Sequence, residues 1–157
     1  MKYVFKFISS AFLALFLVGC AAQTTMDPAV GKADYHKLIT WLNSTEQFIS
    51  DKELEKALSG SAPSEEEEVK MLTNALNQKY NQIIRGTKEL DLRHVEVRKL
   101  RDLCVEIFEL MRPAMLSIYV PTRENIEQAE KVEPKLLALE EQIDELGEKL
   151  DKQFGSE

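Results

Sequence analysis

The sequence predicts an all-α fold, an up-down antiparallel bundle of about four amphipathic helices behind a short apolar leader. Three observations carry this reading. Nearly every segment after Gly31 repeats its apolar residues at steps of three and four, the helical period. Alternating β runs, Asn-Gly hairpin dipeptides and strand–helix alternation are missing. Short links join the periodic segments, which favours antiparallel neighbours with their apolar stripes turned inward.

The first helix is expected from about Lys32 to Ser59. Tyr35, Leu38, Ile39, Leu42, Thr45 and Ile49 share one face, and Leu54, Ala57 and Leu58 continue it. Ser50-Asp51-Lys52-Glu53 has the spacing of a capping box, where the helix could break and restart. Trp41 and Phe48 sit roughly 80–100° to one side at 100° per residue. The combined apolar arc approaches half the wheel, more than one packing contact uses. These two aromatics either meet a second neighbouring helix or line a groove, and they form the candidate partner-binding surface.

The second helix opens after the loop Gly60-Ser61-Ala62-Pro63. Ser64 and Glu67 make a capping box, and Glu65 to Glu68 place negative charge where the helix dipole favours it. Capping and solvation account for this acidic run without a bound cation. Val69, Leu72, Leu76, Tyr80, Ile83, Thr87 and Leu90 form a near-heptad stripe. Gly86 lies inside it and weakens the helix by about 1 kcal/mol relative to Ala.

The third helix starts between Leu90 and Val95. Val97, Leu100, Cys104, Ile107, Met111, Ala114 and Ile118 alternate steps of three and four, and Leu103, Phe108 and Leu110 widen the arc to roughly 160°. Such breadth predicts the helix with several neighbours. Pro113 should kink it or end it at Arg112. The fourth helix is expected to open at Pro121, with a kink or restart at Pro134, and its stripe keeps heptad steps across that break through Ala129, Val132, Leu136, Leu139, Ile143, Leu146 and Leu150.

The leader has its own grammar. Lys2 and Lys6 precede a twelve-residue apolar or small run, Phe7 to Val18. That length suits a signal peptide and falls short of the roughly 20 residues that span a bilayer. The run stops at Leu17-Val18-Gly19-Cys20. This tetrapeptide resembles the lipobox of bacterial lipoproteins, although the resemblance covers only the leader. It implies a diacylglycerol thioether on the Cys20 sulfur, cleavage between Gly19 and Cys20, and acylation of the new amino group. Several acyl chains on Cys20 would hold the chain firmly at a membrane, since each buried CH₂ contributes about 0.8 kcal/mol. Ala21 to Gly31 has no helical period and reads as a tether, with a reach of roughly 35 Å when extended. Ala21 is not the Asp that marks inner-membrane retention in Gram-negative lipoproteins. In such a source the resemblance implies the outer membrane, with the domain facing the periplasm. The expected divisions are therefore 1–19 signal peptide, 20–31 lipidated Cys and tether, and 32–157 helical domain.

Removal of residues 1–19 leaves 138 residues, enough for one domain with a real core. Loss of Lys2 and Lys6 leaves 18 basic against 27 acidic side chains, a net charge of −9 with His neutral. That balance argues against nucleic acid, whose affinity rests on cations meeting phosphates. It also argues against electrostatic docking to anionic lipid, so the expected membrane contact is the acyl anchor on Cys20. Once Cys20 carries lipid, Cys104 is the only thiol left, so the fold holds by packing rather than by a disulfide.

The search for chemistry returns no catalytic motif, cofactor site or small-molecule substrate. His36 and His94 fall on different segments, and Asp91-x-x-His94 is one imperfect copy of a bundle metal motif, with His94 expected on the polar side of the third helix. The P-loop, G-x-S-x-G, G-x-G-x-x-G and C-x-x-C-H signatures are missing, so no enzyme or haem protein is expected. Cys104 lies in the apolar arc, where burial makes a thiol inert; redox sensing or an intermolecular disulfide is the alternative. Arg93, Arg98, Lys99 and Arg101 cluster near the start of the third helix, for pairing with neighbouring acids such as Asp102 or for an anion. The expectation is a non-enzymatic envelope module that binds an envelope protein, here unidentified. The alternative is a structural spacer that self-associates or links membrane to cell wall.

Overall fold

A computed structural model describes residues 25–49 and 64–155. It contains four helices: α1 (Pro28–Ile49), α2 (Glu65–Lys88), α3 (Val95–Tyr119) and α4 (Arg123–Phe154). No strand occurs among the described residues, only an isolated parallel bridge between Thr25 and His94. The chain is an all-α bundle.

The helix ends fix its direction. Gly31 at the start of α1 lies against Phe154 at the end of α4 and His94 just before α3. The α3–α4 ion pairs descend in antiparallel order, with Lys135 on Glu106 and Lys149 on Glu96. Thus α1 and α3 run one way, and α2 and α4 the other. Helix α3 packs against all three others, as its broad apolar arc predicts. The deepest cluster joins Tyr35 and Leu38 of α1, Leu100 and Cys104 of α3, and Leu150 and Phe154 of α4. A second, between α2 and α3, centres on Tyr80, Ile84 and Val105.

The terminators explain where each helix stops. Ser64 caps α2, its side chain accepting from the Glu67 N–H, as the capping box foretells. Thr122 caps α4 by accepting from the Asn125 N–H, and Asn125 returns a bond from its side chain to the Val120 carbonyl. Hence α4 opens at Arg123, two residues beyond the expected Pro121. Pro113 and Pro134 both lie inside continuous helix. Each withholds one N–H, but packing on either side holds the helix together.

Two expectations need correction. Helix α1 begins at Pro28, not Lys32. Asp27 accepts from the Ala29 N–H and Pro28 takes the first helical position, where a missing N–H costs nothing. Gly31, which reads in sequence as a breaker, is instead a close-approach residue: a Cβ there would meet Phe154 Cζ at 2.4 Å. His94 is not on the polar side of α3. It precedes the helix in extended conformation (φ −72°, ψ 129°) and its side chain is 0% exposed. The wheel misplaced it because it is not yet on the wheel. The continuation of the first helix from Ser50 to Ser59 lies outside the described residues.

Leu100 is buried in the main cluster at the contact of α1, α3 and α4. Leu100→Ala should cost about 2–5 kcal/mol, read as a lowered urea midpoint with unchanged slope. A cost near zero would show that α3 is not the central helix.

Candidate functional site

Two places on the surface have more built into them than packing requires. One is the junction where the N-terminal segment enters the bundle. Thr25 donates its N–H to the Arg93 carbonyl at 2.9 Å and accepts from the Val95 N–H at 3.1 Å. Beneath it the buried Asp34 takes the N–H groups of Arg93 and His94 on a single carboxylate oxygen, at 2.5 and 2.7 Å. An ionised carboxylate is tolerated inside only when so satisfied. The His94 ring stands edge-on to Phe154, with centroids 5.3 Å apart. Neither of its ring nitrogens has a hydrogen-bond partner among the described residues.

The second place is a groove of about 410 Å³ between α1 and the last turns of α2, lined by Lys37, Trp41, Gln82, Arg85, Glu89 and Asp91 among others. Trp41 is half-buried and its six-membered ring packs against Gly86, where a Cβ would come within 2.3 Å of Cζ2. Its indole N–H donates to Thr87 Oγ1 at 2.9 Å, and that hydroxyl donates to the Ile83 carbonyl. Trp41 therefore meets a second helix and also borders a groove, the two alternatives that the wide arc of α1 leaves open. Phe48, its expected companion, has a side chain outside the described residues. Gly19 and Cys20 lie wholly outside the described residues.

Other polar features are absorbed into the fold. Arg101 pairs with Asp102 at 2.6 Å and reaches the Leu90 carbonyl. Cys104 is buried among apolar side chains, which pushes its thiol up to about 11. Burial, then the charge of Asp151, raises the Tyr35 hydroxyl, which donates to Asp151 Oδ1 at 3.4 Å. Burial pushes the Tyr80 hydroxyl up to about 12, with Tyr119 adding to the shift. Among the described residues, no three His, Cys, Asp or Glu side chains converge as a metal would need. No described helix is long and apolar enough to cross a membrane.

A family model described as "Uncharacterised lipoprotein PM1805" matches residues 32–155, well over half of the chain. The chain belongs to this lipoprotein family. No curated protein and no solved structure matches it. The lipoprotein is accordingly lipid-anchored in the cell envelope. The match starts beyond the leader, so it supports the address through the helical domain, independently of the lipobox at Leu17 to Cys20.

Sequence reasoning missed Asp34, Thr25 and the buried place of His94. One signal was available: Asp34 falls beside Tyr35 and Leu38 on the apolar face of α1, where an acid must have partners.

Two outcomes follow. Gly86→Ala should destabilise the lipoprotein, although Ala is the better helix former by about 1 kcal/mol, because the new methyl displaces the indole; the Trp41 emission should shift to the red with it. At pH 8 native Cys104 should resist iodoacetamide, since its thiol ionises only towards pH 11, and should react on unfolding in urea.

Proposed function

We propose that this lipoprotein is an accessory module of the envelope, held through lipid on Cys20 and acting by binding another envelope protein rather than by catalysis. The single observation that carries the reading is the α1–α2 groove beside Trp41. It joins an aromatic edge to charges of both signs, Lys37 and Arg85 against Glu89 and Asp91. A half-buried Trp beside polar groups at a rim is the composition of an interface anchor. The groove is rigid because Trp41 is already fixed on Gly86 and Thr87, so a partner need not order it on docking. Ala21 at the position after the anchoring Cys favours the outer membrane, with the bundle in the periplasm if the source is Gram-negative.

A photo-crosslinking residue at Gln82, which lines the groove, tests this in the intact envelope. The expected result is one dominant adduct with a different protein, lost when Arg85 is changed to Glu. Adducts of the chain with itself or with cell wall would overturn the reading in favour of a structural spacer.

A further inference from the structure

The anchored end of the bundle carries more than the anchor. In the sequence the tether looks eleven residues long, but Thr25 is already clamped between Arg93 and Val95 by two backbone hydrogen bonds. Only five peptide steps therefore separate the Cys20 sulfur site from a fixed point on the bundle. They reach roughly 17 Å at full extension, and about 12–13 Å on average for a flexible chain. With a headgroup layer roughly 5–8 Å thick on each side, so short a leash keeps this end of the bundle within about 10 Å of the membrane surface and within reach of contact.

The surface at that point is built for contact. Met26 and Val95 directly follow the two bridged residues, Thr25 and His94, and are 61% and 43% exposed. The other large exposed apolar residues among those described, Met71, Ile118, Ile126 and Leu137, lie on the early turns of α2, the end of α3 and the first half of α4, away from the bridge. Around Met26 and Val95 the chain places Arg93, Arg98 and Lys99. The acids near them are paired: Glu96 with Lys149, Asp102 with Arg101 and Glu106 with Lys135. Asp102 and Glu106 line one hollow with Val95, Arg98 and Lys99. Asp27 is occupied with the Ala29 N–H, and Asp91 stands on the α1 side, where its carbonyl accepts from Lys37. The run Glu65 to Glu68 lies at the opposite end, on the first turn of α2. The chain as a whole is acidic, and Glu148 and Asp151 on the last turns of α4 also lie towards this end, where Glu148 pairs with Lys152 and Asp151 accepts from Tyr35. Contact here rests on the short tether and the exposed apolar side chains rather than on a net positive charge.

We propose that the Thr25–His94 end of the bundle rests on the bilayer, with Met26 and Val95 among the lipid headgroups and Arg93, Arg98 and Lys99 facing their phosphates. The bundle then points away from the membrane along α3, and the groove beside Trp41 opens sideways near the surface. This rests on lipidation at Cys20.

The test uses the lipidated full chain in phospholipid liposomes, with a spin label on Met26→Cys, Val95→Cys or, as control, Ile118→Cys. The buried, protonated Cys104 does not compete for the label at neutral pH. Flotation first shows whether the chain is anchored. Accessibility to a water-soluble nickel chelate should then fall several-fold at positions 26 and 95, relative to the unlipidated Cys20→Ala chain in solution, and stay unchanged at 118. A chain that floats while its labels at 26 and 95 remain as accessible as in solution overturns the docking and leaves the anchor standing. A chain that does not float overturns both.

Discussion

One buried carboxylate holds the architecture in register. Asp34 reaches from α1 to accept the N–H groups of Arg93 and His94, and so joins the first helix to the turn that launches the third. Hydrogen bonds to a charged acceptor contribute about 1.5–3 kcal/mol each, and removing the acceptor would strand its donors. Three placements follow. The turn is held extended, so His94 points inward against Phe154 at the end of α4. The outer edge of that turn is left free to pair with Thr25. And α3 begins at Val95, which sets which of its residues meet Leu38 and Leu150 in the main cluster.

The remainder is packing of an ordinary kind, organised around α3. Helices α2 and α4 lie on opposite sides of the α1–α3 pair, and α3 closes on each of the others. Its residues supply both clusters, Leu100 and Cys104 in one and Val105 in the other. With Cys104 held as a buried thiol, cohesion comes from apolar area, at about 25 cal/mol per Å² removed from water.

Much of this was legible in the sequence, and the rest fails for identifiable reasons. Periodicity located α2, α3 and most of α4, and the Ser64 box marked the start of α2. The breadth of the α3 stripe foretold its central place because arc width counts neighbours. The start of α1 was hidden by Gly31, whose role depends on a ring 123 residues later in the chain. His94 was misread because a helical wheel assigns a face to every residue, including those outside the helix. Asp34 was passed over because its partners are backbone groups, which leave no trace in composition. At the candidate site, Trp41 was visible as surplus apolar width, while the groove was not, since it needs Gly86 and Arg85 of a second helix to exist.

The contact of Trp41 with Gly86 has a consequence beyond stability. A helix whose apolar arc covers nearly half its circumference can turn about its own axis by tens of degrees and still bury much the same area. Area alone would leave α1 with several near-equal orientations. The indole fits only where the α2 backbone lacks a side chain, and its N–H finds an acceptor only one residue further on, at Thr87. Together they act as a key in a slot, selecting one rotation of α1 from a set that hydrophobicity would treat as degenerate.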